Sequence, residues 1–192
     1  LTFVKTDMRY GALGHPICDQ NGEIISTRNG NIYNASISGV IKGEKGKAGE
    51  LRGTFAVEEK IGSLVNNCKY GVYGKLDSLP TELSKKDLIK VASPYEVKPG
   101  KATVYSTLDE NGRMEYEIEI VKVSTQNMKG DKGLVLRVSD TRLLEKTGGI
   151  VQGMSGSPIV QNGKLVGAVT HVFINDPTKG YGVLGQWMLD NN

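Results

Sequence analysis

Cysteine and net charge are both scarce in this sequence, and each shortage excludes a class of protein. Two cysteines, Cys18 and Cys68, among 192 residues are too few for a disulfide framework. They could form one bridge, but we expect them to be small buried hydrophobic residues. The 24 Lys and Arg are nearly balanced by 21 Asp and Glu, for a net charge of +3. Charges this balanced and scattered exclude the basic surface typical of nucleic-acid-binding proteins.

Long apolar runs, a signal segment and metal-ligand clusters are also missing. No apolar run approaches the roughly 18 residues of a membrane-spanning helix, and no charged-then-apolar segment opens the chain. The chain begins instead on a strand-like pattern, Leu1-Thr2-Phe3-Val4, so we expect it to be part of a longer protein. Two histidines and two cysteines have no recognisable ligand spacing, so neither a metal nor an organic cofactor is implied.

What the sequence does contain is a series of short strand patterns separated by Gly, Asn and Asp. Glu115–Val123 alternates charged and apolar residues with a period of two, and the best helix patterns are Ser139–Thr147 and Gly185–Leu189. Many short strands with almost no helix predict an all-β fold, either a barrel or a sandwich. A proline-containing stretch, 77–99, is predicted to cross between two lobes. The clearest other strand patterns are Asn31–Val40, Tyr70–Leu76, Ala102–Thr107 and Leu134–Val138.

The segment Lys42–Glu50 is rich in glycine and charge, but its spacing is not that of a phosphate-binding loop. Such a loop requires a glycine where Ile41 stands and a serine or threonine where Ala48 stands. We therefore expect a mobile surface loop at this place.

The strongest chemical signal is the run Gly153-Met154-Ser155-Gly156-Ser157-Pro158. A nucleophilic serine needs a tight turn that exposes its hydroxyl and directs backbone N–H groups at the oxyanion of a tetrahedral intermediate. Glycines on both sides allow the required backbone angles, and the N–H groups of Gly153 and Ser155 would form the oxyanion hole. The same run could also be an ordinary turn between two strands.

The residues that follow this turn indicate which fold carries it. Gln161-Asn162-Gly163-Lys164 lies between two apolar runs, and Asn-Gly in that position is the strongest short signal for a β-hairpin. The nucleophile of an α/β-hydrolase would instead precede a helix. The hairpin therefore favours a protease built from two β-barrels.

Both histidines of the chain, His15 and His171, are candidates for the general base. His15 lies in a Gly-flanked turn at the far end of the chain from Ser155, so it can face the serine across two lobes. His171 closes the strand after the hairpin and would border the substrate pocket, as would Thr170. We prefer His15 as the base, with His171 as the second candidate or a pocket wall, and either histidine could be purely structural.

Sequence spacing does not choose the acid that would orient the base. Asp140 precedes a helix pattern and could simply be an N-cap. Asp87 lies mid-chain, where chymotrypsin-like proteases usually place this acid, and Asp19 is too near His15 in sequence to meet it well. A cysteine nucleophile, Cys18, is disfavoured because no oxyanion turn surrounds it and it follows the histidine too closely.

Four stretches of the sequence resemble the stage IV sporulation protein B family of serine peptidases: Tyr10–His15, Thr147–Ile159, Gly167–Phe173 and Asn175–Pro177. The resemblance is nearly continuous over 133–189. It implies a serine endopeptidase with a chymotrypsin-like double β-barrel and one or two short helices. Carried over by position, the family's catalytic triad falls on His15, Asp140 and Ser155, which selects Asp140 over Asp87.

The resemblance also implies a cellular setting. Members of the family are made in the forespore and secreted into the space between the two membranes of the developing spore. There they cut the regulatory subunit of a membrane-embedded protease complex, which then matures a sigma factor. They usually carry a membrane anchor and a PDZ domain upstream, and often cleave themselves. We therefore expect residues 1–192 to be the peptidase domain, with a protein substrate at a membrane surface and its own N-terminal region as a further substrate.

Two features bear on specificity and on the state of activity. In a chymotrypsin-like barrel Gly149, six residues before Ser155, would lie at the floor of the substrate pocket. It offers no charge, so we expect no strict requirement for a charged residue before the cleaved bond. The polar segment Asn175–Tyr181 could move, so a latent protease is one alternative. The other is an inactive barrel that binds a peptide by strand addition.

Overall fold

The computed structural model describes residues 1–27, 29–80, 88–124 and 130–191, whose strands form two sheets. The N-terminal sheet is open and has five strands in the order β1-β2-β5-β4-β3. These strands are β1 (Phe3–Val4), β2 (Arg9–Ala12), β3 (Gly30–Ile41), β4 (Glu50–Cys68) and β5 (Gly71–Leu76).

The C-terminal sheet closes into a barrel of six strands in the order β10-β11-β8-β7-β6-β9. The expected all-β fold of two lobes with two short helices is confirmed, with one full barrel and one half-barrel. Among the described residues, none of the helices has the length and apolar character needed to cross a membrane. The elements are β6 (Gly100–Thr107), β7 (Arg113–Val123), β8 (Leu134–Val138), α1 (Thr141–Thr147), β9 (Pro158–Gln161), β10 (Lys164–Val172), β11 (Lys179–Leu184) and α2 (Gly185–Leu189).

Local sequence explains the strands of the barrel well. In β7 the apolar residues Tyr116, Ile118 and Ile120 are buried while the residues between them face outward, as a period of two requires. Asn162 and Gly163 both have positive φ, 52° and 72°, as a type I′ turn demands. That turn joins β9 to β10 and confirms the hairpin.

The two lobes differ in how much they bury. A large apolar cluster fills the barrel, whereas the N-terminal sheet has a small cluster formed by Tyr10, Ala12, Val72 and Leu76. The N-terminal part of β4 extends beyond the edge of β5, because pairing between β4 and β5 begins only at Gly62. Together with β3 it forms a two-stranded hairpin that extends from the sheet toward the barrel.

Two smaller expectations can be compared with the structure. Cys18 and Cys68 are both free, as expected, but neither is fully buried: Cys68 is partly buried, and Cys18 is exposed because it lies in the surface loop after β2. Residues 77–99 connect β5 to β6, and their role as a lobe boundary stays a prediction. Asp87, one of the candidate acids, lies outside the described residues.

Candidate active site

The turn that carries Ser155 leaves two backbone donors without an acceptor. Met154, Gly156 and Ser157 donate their N–H groups to backbone carbonyls. In the part of the chain that the structure describes, no acceptor faces the N–H of Gly153 or of Ser155. Gly153 has a φ of +96°, a conformation that glycine adopts without a steric penalty. Two free N–H groups, one two residues before the serine and one on the serine itself, are the donors that an oxyanion hole requires.

The Ser155 side chain is held by β10, the second barrel strand that follows it. Its Oγ donates to the carbonyl of Thr170 at 3.0 Å. Thr170 is itself buried, and its hydroxyl donates to the carbonyl of Asp131 at 3.1 Å. Ser155 is therefore anchored to β10, next to His171.

The turn that carries His15 packs directly against the serine turn, although His15 and Ser155 are 140 residues apart in the sequence. A Cβ added to Gly156 would lie 2.5 Å from the backbone N of Leu13, and one added to Gly14 would lie 2.9 Å from Cγ2 of Thr170. The contact explains why glycine occupies both places. It brings the N-terminal sheet and the barrel together at the nucleophile.

The His15 ring is oriented by a backbone carbonyl. Its Nδ1 lies 2.9 Å from the carbonyl oxygen of Pro16. A carbonyl oxygen can only accept, so Nδ1 carries a proton, and in the neutral ring Nε2 is the basic nitrogen. The loop beyond is fixed by Asn67, whose side chain bonds to both backbone groups of Ile17 and to the carbonyl of Ile25.

His171 lies beside His15, with the ring centroids 5.1 Å apart and the planes tilted by 40°. Burial lowers the pKa of His171, and the nearby charges of His15 and Lys132 lower it further, while Asp131 raises it. Its Nδ1 is buried and has no hydrogen-bond partner among the described residues. Among those residues, no hydrogen bond joins His15 to Ser155, so the serine and the base are neighbours that are not yet coupled.

Asp140 is engaged in a different place. It is the N-cap of α1, where its carboxylate accepts from the backbone N–H groups of Arg142 and Leu143. It also accepts from the Glu117 N–H at 3.1 Å and from the Arg142 guanidinium at 2.7 Å. The Arg142 hydrogen bonds are the main cause that lowers the pKa of Asp140 to about 2. Every hydrogen bond that the structure gives this carboxylate is local to α1 and β7, so its assignment as the triad acid stays a prediction.

Asp19, the remaining acid candidate near the base, also has its carboxylate engaged in local hydrogen bonds. Asp19 accepts from the backbone N–H groups of Asn21 and Glu23, both at 2.9 Å. This is a turn of the surface loop after His15, and it gives Asp19 a structural role.

Two of the three residues expected at the substrate pocket lie beside the candidate catalytic residues. Thr170 and His171 border Ser155 and His15, as described above. Gly149 instead packs on a backbone, because an added Cβ would lie 2.1 Å from the carbonyl oxygen of Pro177. Its place at a pocket floor stays a prediction. The same loop receives the N–H of Ile150 at 2.7 Å, so the segment 175–181 contacts the chain just before the nucleophile.

Several contacts of the site were not predicted from the sequence. The Pro16 carbonyl that orients His15 is a backbone group and leaves no side-chain signal. Asn67 and Asp131 are far from the catalytic residues in the chain. Arg142, two residues after Asp140, was the one neighbour with a local signal, because a cation so close to an acid at a helix start commonly pairs with it.

Comparison with known proteins agrees with this geometry. The family described as SpoIVB peptidase S55 matches residues 1–189, which confirms the resemblance noted in the sequence. No curated protein matches the chain. Solved structures that are similar in part include two forms of one protease. The Rv3671c protease in its inactive form has 16% identity and a TM-score of 0.44, over 74% of this chain and 70% of that one. The active form of the same protease, from M. tuberculosis, has 14% identity and a TM-score of 0.44, over 73% and 61%.

The family match covers nearly the whole sequence. It agrees with a serine turn that has two free amides and with a histidine turn packed against it. The chain belongs to the SpoIVB peptidase S55 family and is a serine peptidase.

Proposed function

We propose that this chain is a serine endopeptidase in which Ser155 is the nucleophile and His15 the general base. The observation that carries the proposal is the pair of free amides at Gly153 and Ser155, next to the packed turn of His15. Preorganised donors of this kind stabilise the oxyanion of acyl transfer, and removing one typically costs about 100-fold to 1,000-fold in kcat.

The chemistry follows from these positions. Ser155 Oγ forms a bond to the carbonyl carbon of the substrate while its proton passes to Nε2 of His15. The carbonyl oxygen becomes an oxyanion held by the two amides. His15 then gives the proton to the leaving amine as the C–N bond breaks, which leaves an acyl-enzyme. Water, activated by the same histidine, hydrolyses this ester and restores the serine.

The state of Ser155 supports a second candidate, a latent form of the same barrel. Its hydroxyl donates to Thr170, so it must rotate toward His15 before it can react. Catalytic hydrogen bonds are often long or absent until substrate binds. In the latent form the Ser155 side chain rotates toward His15 only after a partner binds, and until then the cleft binds a peptide without cleaving it.

Asp140 enters this proposal as the acid that the family resemblance assigns, although its present contacts serve α1. In the triad role its carboxylate would stabilise the charged His15 ring. The Pro16 carbonyl already holds Nδ1, so the His15 ring is oriented without the carboxylate.

For the biological setting we propose the role that family membership suggests. The substrate is the regulatory subunit of a membrane-embedded protease complex, whose cleavage leads to sigma factor maturation during sporulation. The enzyme acts after secretion from the forespore into the space between the spore membranes, and its own N-terminal region is a further substrate. The support for this setting is the match over residues 1–189.

Labelling with a fluorophosphonate tests the chemistry. The Ser155 oxygen attacks phosphorus and fluoride leaves, so a labelled chain has an activated serine. We expect labelling of the unmodified chain, and none of Ser155→Ala. Ser157→Ala is the matched control, because this hydroxyl lies two residues away and is bonded to Ser106; it should keep its labelling. Equal labelling of Ser155→Ala would overturn the proposal. An unlabelled chain that still binds an extended peptide would establish the latent or binding form.

The setting needs a separate test in a spore-forming host that lacks its own member of the family. The complete protein with Ser155 should restore cleavage of the regulatory subunit and maturation of the sigma factor, measured by immunoblot. Ser155→Ala should restore neither. Restoration by the alanine variant would show that proteolysis by this domain is not its contribution.

A further inference from the structure

The hairpin of β3 and β4 contacts the active site from the N-terminal sheet. Within the N-terminal sheet, residues 50–60 of β4 have β3 as their neighbour and not β5, since pairing with β5 starts at Gly62. The closed end of this hairpin, residues 42–51, is called the hairpin tip below. It lies against the barrel, at the segment that leads from α1 to the nucleophile.

Four backbone hydrogen bonds attach the hairpin tip to the barrel. Two come from its first half: Gly43 donates to the Thr147 carbonyl, and Gly46 donates to the Ile174 carbonyl, each at 2.8 Å. The other two clasp one residue next to the oxyanion hole. Gln152 donates to the Gly49 carbonyl, and Leu51 donates to the Gln152 carbonyl, again at 2.8 Å. The loop expected to be a mobile surface loop is thus held at both ends.

The side chain of Leu51 lies over Gly153. A Cβ added to Gly153 would be 3.0 Å from Cβ of Leu51 and 3.2 Å from its Cγ. Leu51 is partly buried and packs against the core of the barrel, so it cannot move aside freely. Gly153, with its positive φ and its free amide, is enclosed by Leu51 on one side and fixed at Gln152 on the other.

We propose that Leu51 is a positioning residue of the oxyanion hole, and that the hairpin tip holds the Gly153 amide at the reacting carbonyl. This inference rests on the proposed function. Its physical basis is that an oxyanion donor acts only when it is aimed in advance, and that a displacement of about 1 Å in an active site can cost about 100-fold. A glycine preceding a serine turn has many accessible conformations, and the tip selects one of them.

The test compares two leucines of the same strand. Leu51→Ala removes the contact with Gly153, and Leu64→Ala is the matched control, since Leu64 is also partly buried but packs on the small cluster of the N-terminal sheet. We measure fluorophosphonate labelling as kinact and KI. Leu51→Ala should lower kinact by about 10-fold to 100-fold and leave KI within about twofold. Leu64→Ala should leave both unchanged, and Leu51→Met, which conserves volume, should restore kinact.

Thermal unfolding of each variant shows whether it is folded, and Leu51→Val serves as a milder truncation if the alanine variant is not. A kinact for folded Leu51→Ala or Leu51→Val equal to that of the unmodified chain would overturn the positioning role. So would an equal loss in Leu64→Ala. Failure of the proposed function looks different, because Ser155→Ala would then label as well as the unmodified chain.

Discussion

The two lobes of this peptidase differ in sheet closure and in the size of their cores, and both contribute residues to the proposed catalytic site. The barrel is closed and has a large buried core, whereas the N-terminal sheet is open and has a core cluster of four buried apolar residues. On its hairpin, Phe55 and Val57 are about 70% exposed, at 73% and 70%. The nucleophile and its amides belong to the barrel, and His15 belongs to the weaker sheet. The oxyanion site is therefore built on the lobe with the larger core, and the base comes from the lobe with the smaller one.

The contacts between the lobes are concentrated around Ser155. Thr2 donates its hydroxyl to the Gly156 carbonyl at 2.8 Å, and Leu13 packs on the same glycine. The hairpin tip reaches the preceding residues, 152 and 153. The N-terminal half of the chain therefore touches both the serine turn and the residue that supplies the first oxyanion donor.

The largest expected effect is on the free energy of unfolding, compared between one substitution in each lobe. Ile159 is fully buried in the barrel and Phe55 is 73% exposed on the hairpin. Ile159→Ala should lower the free energy of unfolding by about 2–5 kcal/mol, because it leaves a cavity. Phe55→Ala should change it by no more than about 0.5 kcal/mol. Urea unfolding measures both, and similar losses would contradict the contrast between the lobes.

A smaller effect concerns Asp140, which caps α1 within the barrel. Asp140→Ala should cost about 1 kcal/mol of stability through the lost cap, while Asp140→Asn should cost less because asparagine caps equally well. As the proposed triad acid, Asp140 should also be needed for the chemistry, so Asp140→Asn should lower the rate of fluorophosphonate labelling by about 10⁴-fold. Labelling within about 10-fold of the unmodified rate would show instead that the carboxylate, which is bonded to Arg142 and backbone amides, serves only α1.

The smallest effect is a pH dependence from His171. Its pKa in the folded chain is lowered from 6.5, first by burial and then by the charge of His15. The unfolded chain therefore binds the proton more readily, and stability falls as the pH drops below about 6.5 toward the folded pKa. His171→Phe removes the titrating ring, so its unfolding midpoint in urea should fall less steeply between pH 7 and pH 5. Identical slopes would show that this histidine is not the cause.

The sequence predicted the parts of the site that are local. The alternation of β7, the Asn162-Gly163 turn and the glycines around Ser155 each impose a backbone geometry within a few residues. The bounds of α2 and β8 were predicted to the residue. Each of these elements is specified by its own residues, and tertiary packing does not have to override that local preference.

The parts that could not be predicted depend on residues far apart in the chain. Residues 52–60 of β4 are exposed on both faces, so they have no alternation that marks a strand. The contact of Leu51 with Gly153 joins segments 100 residues apart. The donor set around Asp140 is largely backbone amides, and the partner of His15 is the Pro16 carbonyl. Backbone partners leave no trace in side-chain identity.

The most direct test of the account compares the two histidines, one from each lobe. The rate of fluorophosphonate labelling is measured for His15→Ala and His171→Ala, with thermal unfolding to show that both are folded. We predict that His15→Ala loses roughly 10⁴-fold or more, because the base comes from the N-terminal sheet, and that His171→Ala stays within about 10-fold of the unmodified chain. If His171→Ala loses its labelling while His15→Ala keeps it, the base lies on the barrel beside Ser155, and the two lobes do not share the chemistry.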